Sequence, residues 1–124
     1  MSDSVPKPVQ PDSRDATTTV AAIRELVEQF VAERGWHSFH NPKNLAMSLA
    51  IETGELMEHF QWLTLEEAAR VQDDRQRKHD VGEELADCLS YILAIANTME
   101  IDLSSTLANK MIRNAEKYPP GNGC

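Results

Sequence analysis

Apolar side chains recur at the spacing of an α-helix in several long segments of this chain. In the first, from about Thr17 to Arg34, they form one broad apolar face. Its members are Val20, Ile23, Leu26, Val27, Phe30 and Val31. Gly35 follows, and glycine often ends helices because it adopts left-handed backbone angles without a steric penalty. The pattern therefore predicts a first helix that ends at Arg34.

The second apolar segment begins after Asn41 and Pro42, a pair typical of a helix N-cap followed by proline at the first helical position. It continues to about Trp62. Thr64 and Glu67 then have the spacing of a capping box, which predicts a short helix near residues 65–71.

The last two long helices are separated from the short one by charged sequence. Residues 73–78 are predicted to form an exposed turn, and residues 78–99 the third long helix, with a core stripe on one face. That stripe consists of Val81, Leu85, Cys88, Ile92, Ile95 and Met99. A fourth long helix opens at Asp102 and ends before Tyr118. With no strand pattern, these elements predict an all-α fold and a four-helix bundle-like protomer.

Length and composition limit the range of functions. Of the 124 residues, those at 1–15 have the composition of a disordered leader, 16–119 form one domain, and 120–124 are a flexible tail. The net charge of −8 argues against a nucleic-acid partner, which requires a basic surface. No apolar run reaches the ~20 residues that cross a bilayer, so no membrane partner is expected and the cytoplasm is the expected location. Cys88 and Cys124 have neither disulfide nor zinc spacing.

Two pairs of acids stand out within the second and third long helices. Glu52 and Glu55 are three residues apart, as are Glu84 and Asp87, so each pair lies on one helix face. On a helical wheel, Glu52 and Glu84 border the apolar face, and the second acid of each pair lies further out on a polar shoulder. If the two helices pack antiparallel, all four carboxylates can meet.

Such a group of acids requires an explanation, because like charges ~4 Å apart repel by about 4 kcal/mol at an effective dielectric constant near 20. A hard divalent cation such as Mg²⁺, which prefers oxygen ligands, would relieve the repulsion. Raised pKa values are the other solution, and solvated acids at the edges of amphipathic helices are the simpler explanation. The spacing alone predicts a divalent-metal site.

The paired acids and their surroundings resemble the ExxE…ExxD motif of the all-α nucleoside triphosphate pyrophosphohydrolases, the MazG-like superfamily. The resemblance is to the dCTP pyrophosphatase branch and covers about residues 20–119. The similar blocks are Phe30–Trp36, Phe39–Leu45, Glu52–Glu58, Phe60–Trp62, Glu83–Asp87 and Lys110–Pro119.

The resemblance implies hydrolysis of a nucleoside triphosphate, dCTP or a related pyrimidine nucleotide, between its α and β phosphates. It implies Mg²⁺, with Mn²⁺ as an alternative, held by Glu52, Glu55, Glu84 and Asp87. Glu55 and Glu52 would be the catalytic carboxylates. We expect Glu55, on the more exposed shoulder, to accept the proton of the attacking water.

Phosphate contacts are expected from the fourth long helix, where similar positions serve the phosphates in the family. The candidates are Lys110, Arg113, Asn114 and Lys117. The alternative is a solvated basic face near a helix C-terminus, where the helix dipole favours cations.

A base pocket is the third element that the resemblance implies. Its candidates are Trp36, His40, Trp62 and Tyr91, with aromatic rings suited to stacking on a base. The tryptophans could instead be ordinary core residues. Val27 stands where some dCTP-specific relatives have a histidine, which leaves a broad-specificity nucleoside triphosphate pyrophosphatase as an alternative.

Other classes of function remain open at this stage. A non-catalytic helical module for oligomerisation or partner binding would need no metal. A di-iron carboxylate bundle would need Glu-x-x-His motifs, and His59 lies four residues after Glu55 instead of three. Phosphoribosyl-ATP pyrophosphohydrolases share this fold and a metal site built from carboxylates. The aromatic segment at 36–40 instead favours a pocket for the base of a free nucleotide. The broad apolar face of the first helix predicts a homo-oligomer, either a dimer or a dimer of dimers.

Overall fold

The computed structural model describes residues 9–121, which contain five α-helices, two short 3-10 helices and no β-strand. The α-helices are α1 (Val20–Glu33), α2 (Pro42–Glu58), α3 (Leu65–Ala69), α4 (Arg75–Met99) and α5 (Leu103–Lys117). The 3-10 helices cover His37–Phe39 and Val71–Asp73. The predicted all-α class is confirmed.

Side-chain caps explain where the helices begin. The Thr19 hydroxyl accepts a hydrogen bond from the Ala22 amide at the start of α1. Asn41 caps α2 in the same way, with Pro42 at the first helical position. Thr64 and Glu67 form the predicted capping box of α3. These contacts satisfy amides that have no partner within the helix.

Two predicted boundaries are wrong. The charged residues 73–78 do not form a turn, because the Asp74 carboxylate caps the Arg77 amide and α4 begins at Arg75. Charge does not oppose a helix whose first turns face solvent. The second helix ends at Glu58 and not near Trp62, since the chain continues in tight turns in which the amides of Phe60 and Gln61 both donate to the Met57 carbonyl.

Helix α4 is the centre of the protomer, and α1 and α2 pack against it. His59, just after α2, lies beside Glu84, whereas Leu45 near the start of α2 lines the same cavity as Ala94. Helices α2 and α4 are therefore antiparallel, the arrangement in which the two pairs of acids can meet. Helix α5 packs only lightly on the other helices, so a four-helix bundle stays a prediction.

The buried core lies where these three helices meet. These helices contribute Ala22, Val31, Leu45, Cys88, Leu93, Ala94 and Ala96, and the 3-10 helix at Val71–Asp73 adds Val71. The predicted core stripe of α4 is partly wrong, because Leu85, Ile92 and Met99 are exposed. Within the described protomer α4 packs mainly against α1, α2 and the 3-10 helix at Val71–Asp73. The buried residues of α4 are Cys88, Leu93, Ala94 and Ala96.

A hydrogen-bond cluster joins α1 to the end of α4. The Arg24 guanidinium donates to Asn97 Oδ1 at 3.0 Å and to the Ile101 carbonyl at 2.6 Å. In return, the Asn97 amide donates to the Arg24 carbonyl at 3.0 Å. Glu100, the C-cap of α4, has a left-handed backbone with φ of 54°. The cluster thus fixes the corner that leads into α5.

No helix within residues 9–121 is long and apolar enough to cross a membrane. The predicted disordered leader at 1–15 and the flexible tail at 120–124 lie largely outside the described residues. The described part of the leader, residues 9–15, contains a turn in which the Ser13 amide donates to the Gln10 carbonyl.

Candidate active site

Three of the four predicted acids converge between α2 and α4. Glu52 and Glu55 come from α2 and Glu84 from α4, and one carboxylate oxygen of each lies within 4.8 Å of the others. All three residues are partly buried. The i,i+3 spacing places the α2 pair on one face, and the antiparallel packing brings Glu84 opposite.

The buried oxygens of this acidic cluster lack partners. Within the described residues, Glu52 Oε2 and Glu84 Oε2 are buried without a hydrogen bond. Burial raises the pKa of the Glu52 carboxyl, and the charges of Glu55, Asp87 and Glu84 raise it further. Buried polar groups normally have partners, so these oxygens are available as ligands for a cation.

Two neighbouring side chains complete the surroundings of the acids. His59 Nε2 lies 3.7 Å from Glu84 Oε1. The Cys88 thiol is buried one helical turn from Glu84, and its pKa is raised first by burial and then by the four acids. A thiol that stays protonated is a poor metal ligand, so the carboxylates are the chemically suitable donors here.

A cavity of about 690 Å³ opens beside the acidic cluster. One wall depends on the turn after α1, where Gly35 adopts a positive φ of 64°. The Gly35 amide donates to the Ala32 carbonyl and the Trp36 amide to the Val31 carbonyl, each at 3.0 Å. This pattern of hydrogen bonds is a Schellman motif, which closes the helix and fixes the direction of the next residue.

The motif places the Trp36 ring edge-to-face against Phe30, with centroids 5.6 Å apart. Both rings line the cavity, as do the predicted base-binding residues His40 and Tyr91. Burial and the neighbouring His37 lower the pKa of His40. A neutral imidazole carries one donor and one acceptor, which suits recognition of the polar edge of a base.

The fourth predicted acid links the cavity to the acidic cluster. Asp87 is exposed and lines the cavity together with Ser48 and Ser90. Its charge contributes to the raised pKa of Glu52. Of the four acids, Asp87 alone is part of the cavity lining. Ser48 and Asp87 lie four and three residues along their helices from Glu52 and Glu84, so the cavity adjoins the acidic cluster.

Other predicted site residues lie elsewhere in the protomer. Trp62 is 86% exposed in the turns after α2 and is not part of the cavity lining. The predicted phosphate-binding residues all lie on the lightly packed α5. Lys110, Arg113 and Lys117 are exposed, and Asn114 is partly buried. Their roles stay predictions.

Several cavity residues were not selected from the sequence. Phe30, predicted on the apolar face of the first helix, is 46% exposed and lines the cavity. Asn44, Ser48 and Ser90 line it as well. A signal was available for Ser48, because on the helical wheel it lies between Glu52, at the border of the apolar face of α2, and Glu55, on the polar shoulder. Nothing comparable marked Asn44.

Residues 47–123 match the MazG-like family. The chain belongs to this family. The matched region includes all four acids of the site, and the fold of this MazG-like protein agrees with the all-helical architecture that its sequence predicts.

Curated relatives of this MazG-like protein include dCTP pyrophosphatase 1 from Homo sapiens, 40% identical over 101 residues, which are 82% of the chain and 59% of the relative. The enzyme of the same name from Bos taurus is 38% identical over 109 residues, 88% of the chain and 64% of the relative. The chain thus spans about three fifths of the length of these relatives.

A solved structure is also similar. A pyrophosphatase from Archaeoglobus fulgidus superimposes with a TM-score of 0.75 at 35% identity, covering 90% of this chain and 98% of that one. The similarity therefore extends over nearly the whole of that pyrophosphatase chain.

Proposed function

We propose that this MazG-like protein is a Mg²⁺-dependent nucleoside triphosphate pyrophosphohydrolase that converts dCTP, or a related pyrimidine deoxynucleotide, to the monophosphate and pyrophosphate. The observation that carries the proposal is an acidic cluster beside an aromatic-lined cavity that the fourth acid, Asp87, lines. The names of the human, bovine and archaeal relatives support it. In the cytoplasm, such an activity would cleanse the nucleotide pool.

Glu52, Glu55, Glu84 and Asp87 fit a divalent cation, since oxygen donors are its preferred ligands and two buried oxygens of the cluster lack partners. Mg²⁺, or Mn²⁺ in its place, would neutralise phosphate charge and lower the pKa of a bound water. Glu55, on the α2 shoulder, would accept a proton from the attacking water. Glu52 would hold the cation from the buried side.

The cavity is proposed to hold the base. Trp36, Tyr91 and Phe30 supply aromatic surface, and His40 and Asn44 supply hydrogen-bonding groups. Aromatic stacking contributes about 1–3 kcal/mol per base but tolerates any base. Selectivity for cytosine would thus depend on the polar groups, which lose binding energy when a base leaves them unpaired.

A homo-oligomer is part of the proposal. Apolar side chains on the outer faces of α4 and α5 are exposed in the protomer, namely Leu85, Leu89, Ile92, Leu107, Met111 and Ile112. Contiguous exposed apolar surface of this kind marks an interface. Light scattering on the purified protein should give a mass of at least two protomers, and a monomer would contradict this part.

The activity is tested by pyrophosphate release from deoxy- and ribonucleoside triphosphates, with Mg²⁺ and with a chelator. We expect Mg²⁺-dependent release that is fastest with dCTP and absent in Glu52→Gln. Glu83→Gln is the control, because Glu83 is an exposed acid of α4 that lies outside the acidic cluster. Its release should equal that of the wild type.

The panel also separates the alternatives. Mg²⁺-dependent release at similar rates from all bases would support a broad-specificity pyrophosphatase and contradict the cytosine pocket. Folded protein that releases no pyrophosphate from any nucleotide would support a non-catalytic helical module.

A further inference from the structure

We propose that His59 is a positioning residue that orients Glu84 toward the divalent cation. The inference rests on the proposed function, because it assigns His59 a role in that metal site. His59 holds no ligand position itself. It acts through the carboxylate it faces.

The two oxygens of Glu84 have different surroundings. Oε1 faces His59 Nε2 at 3.7 Å, whereas Oε2 is buried without a hydrogen-bond partner. Although 3.7 Å is longer than a direct hydrogen bond, a polar group that faces one oxygen restricts the rotation of the carboxylate and leaves the other oxygen free for a cation. Groups that hold metal-binding carboxylates and imidazoles in this way commonly change metal affinity 10- to 100-fold when removed.

The position of His59 is itself well determined. It is the C-cap of α2, and its backbone amide donates to the carbonyls of Leu56 and Met57. Its side chain is 30% exposed and that of Glu84 18%, so the contact is partly shielded from solvent. Within residues 9–121, no other lysine, arginine or histidine side chain lies within ion-pair distance of the four acids.

Helix α4, which carries Glu84, also offers a control pair of histidine and glutamate. His79 Nε2 lies 3.9 Å from Glu83 Oε1, a similar distance, but the side chains are 65% and 69% exposed. The two pairs thus have the same chemistry and differ in their place relative to the acidic cluster. An effect that is specific to His59 should be absent at His79.

The experiment is Mn²⁺ binding, followed by electron paramagnetic resonance at about pH 8, above the range in which imidazole ordinarily titrates. We expect His59→Leu to weaken binding about tenfold and His79→Leu to leave it unchanged. His59→Gln should recover most of the affinity, because its amide can donate to Glu84. Thermal unfolding without metal should be similar in all four proteins.

Each other result overturns the inference. Unchanged or tighter binding by His59→Leu would exclude positioning. Equal weakening in His59→Leu and His79→Leu would indicate a general charge effect, and equal weakening in His59→Leu and His59→Gln would indicate lost packing. Wild-type protein that binds no Mn²⁺ would overturn the proposed metal site as well, which distinguishes the failure of the two proposals.

Discussion

Replacing Glu52 with glutamine should stabilise the metal-free protein. Glu52 carries a buried oxygen without a partner and lies within 4.8 Å of two other carboxylates, measured between single oxygens. At that distance each like-charge pair costs about 3 kcal/mol at an effective dielectric constant near 20. Solvent screening at this partly exposed site reduces the gain from Glu52→Gln to roughly 1–2 kcal/mol. The unfolding temperature should then rise by roughly 4–8 °C per kcal/mol.

The same change should remove stabilisation by Mg²⁺. A ligand at a hundred times its dissociation constant stabilises a protein by about 2.7 kcal/mol, and the variant lacks one ligand for the cation. Thermal unfolding at about pH 8, where carboxylic acids are ordinarily ionised, is measured with a chelator and across a Mg²⁺ titration, with Glu83→Gln as control. If Glu52→Gln is no more stable than wild type without metal and gains as much from Mg²⁺, the reasoning is refuted.

Four further outcomes follow from the structure. Because the folded-state pKa of Glu52 is raised, protonated Glu52 stabilises the folded protein fully at pH values below the ordinary carboxyl pKa, and this stabilisation is lost as pH rises through the raised pKa. The unfolding temperature of the wild type should therefore fall relative to that of Glu52→Gln as pH rises, and parallel curves would contradict this. Leu45→Ala should cost about 2–5 kcal/mol in chemical denaturation, since Leu45 is 2% exposed; a loss below 1 kcal/mol would be inconsistent with that burial. Glu100→Gly should stabilise the protein by about 1 kcal/mol, because φ is 54° there, and any loss of stability would count against strain. Trp36→Ala should raise KM for dCTP about 5- to 100-fold through lost stacking, and an unchanged KM would exclude Trp36 from the base pocket.

The helices could be predicted from sequence because their signals are local. Thr19, Asn41 and Thr64 act as caps through bonds to amides two or three residues away, and the glycine after α1 depends only on its own backbone angles. The predicted turn at 73–78 is wrong because the high charge of this segment does not prevent a helix. The Asp74 side chain caps the Arg77 amide, and α4 begins at Arg75.

Tertiary burial was harder to predict. The apolar stripe of α4 correctly placed Cys88 in the core, yet Leu85 and Met99 on the same stripe are exposed. A helical pattern identifies apolar residues that avoid water but not the surface that covers them. When that surface is supplied outside the protomer, the pattern predicts more core than one chain contains.

The acids of the site could be placed from helical geometry. Glu52, Glu55 and Glu84 meet as the antiparallel pairing requires. The contact of His59 with Glu84 could not be predicted, because it depends on how the residues after α2 pack against α4. Phe30 shows the same limit, since its role as cavity wall depends on the direction of Trp36 after the Gly35 turn.

The most direct test of the central claim is to identify the products of dCTP hydrolysis by anion-exchange chromatography. The account predicts dCMP and pyrophosphate in equal amounts, formed with Mg²⁺, absent with a chelator and absent in Glu52→Gln. Formation of dCDP and phosphate, or equal product formation in the presence of the chelator, would contradict it.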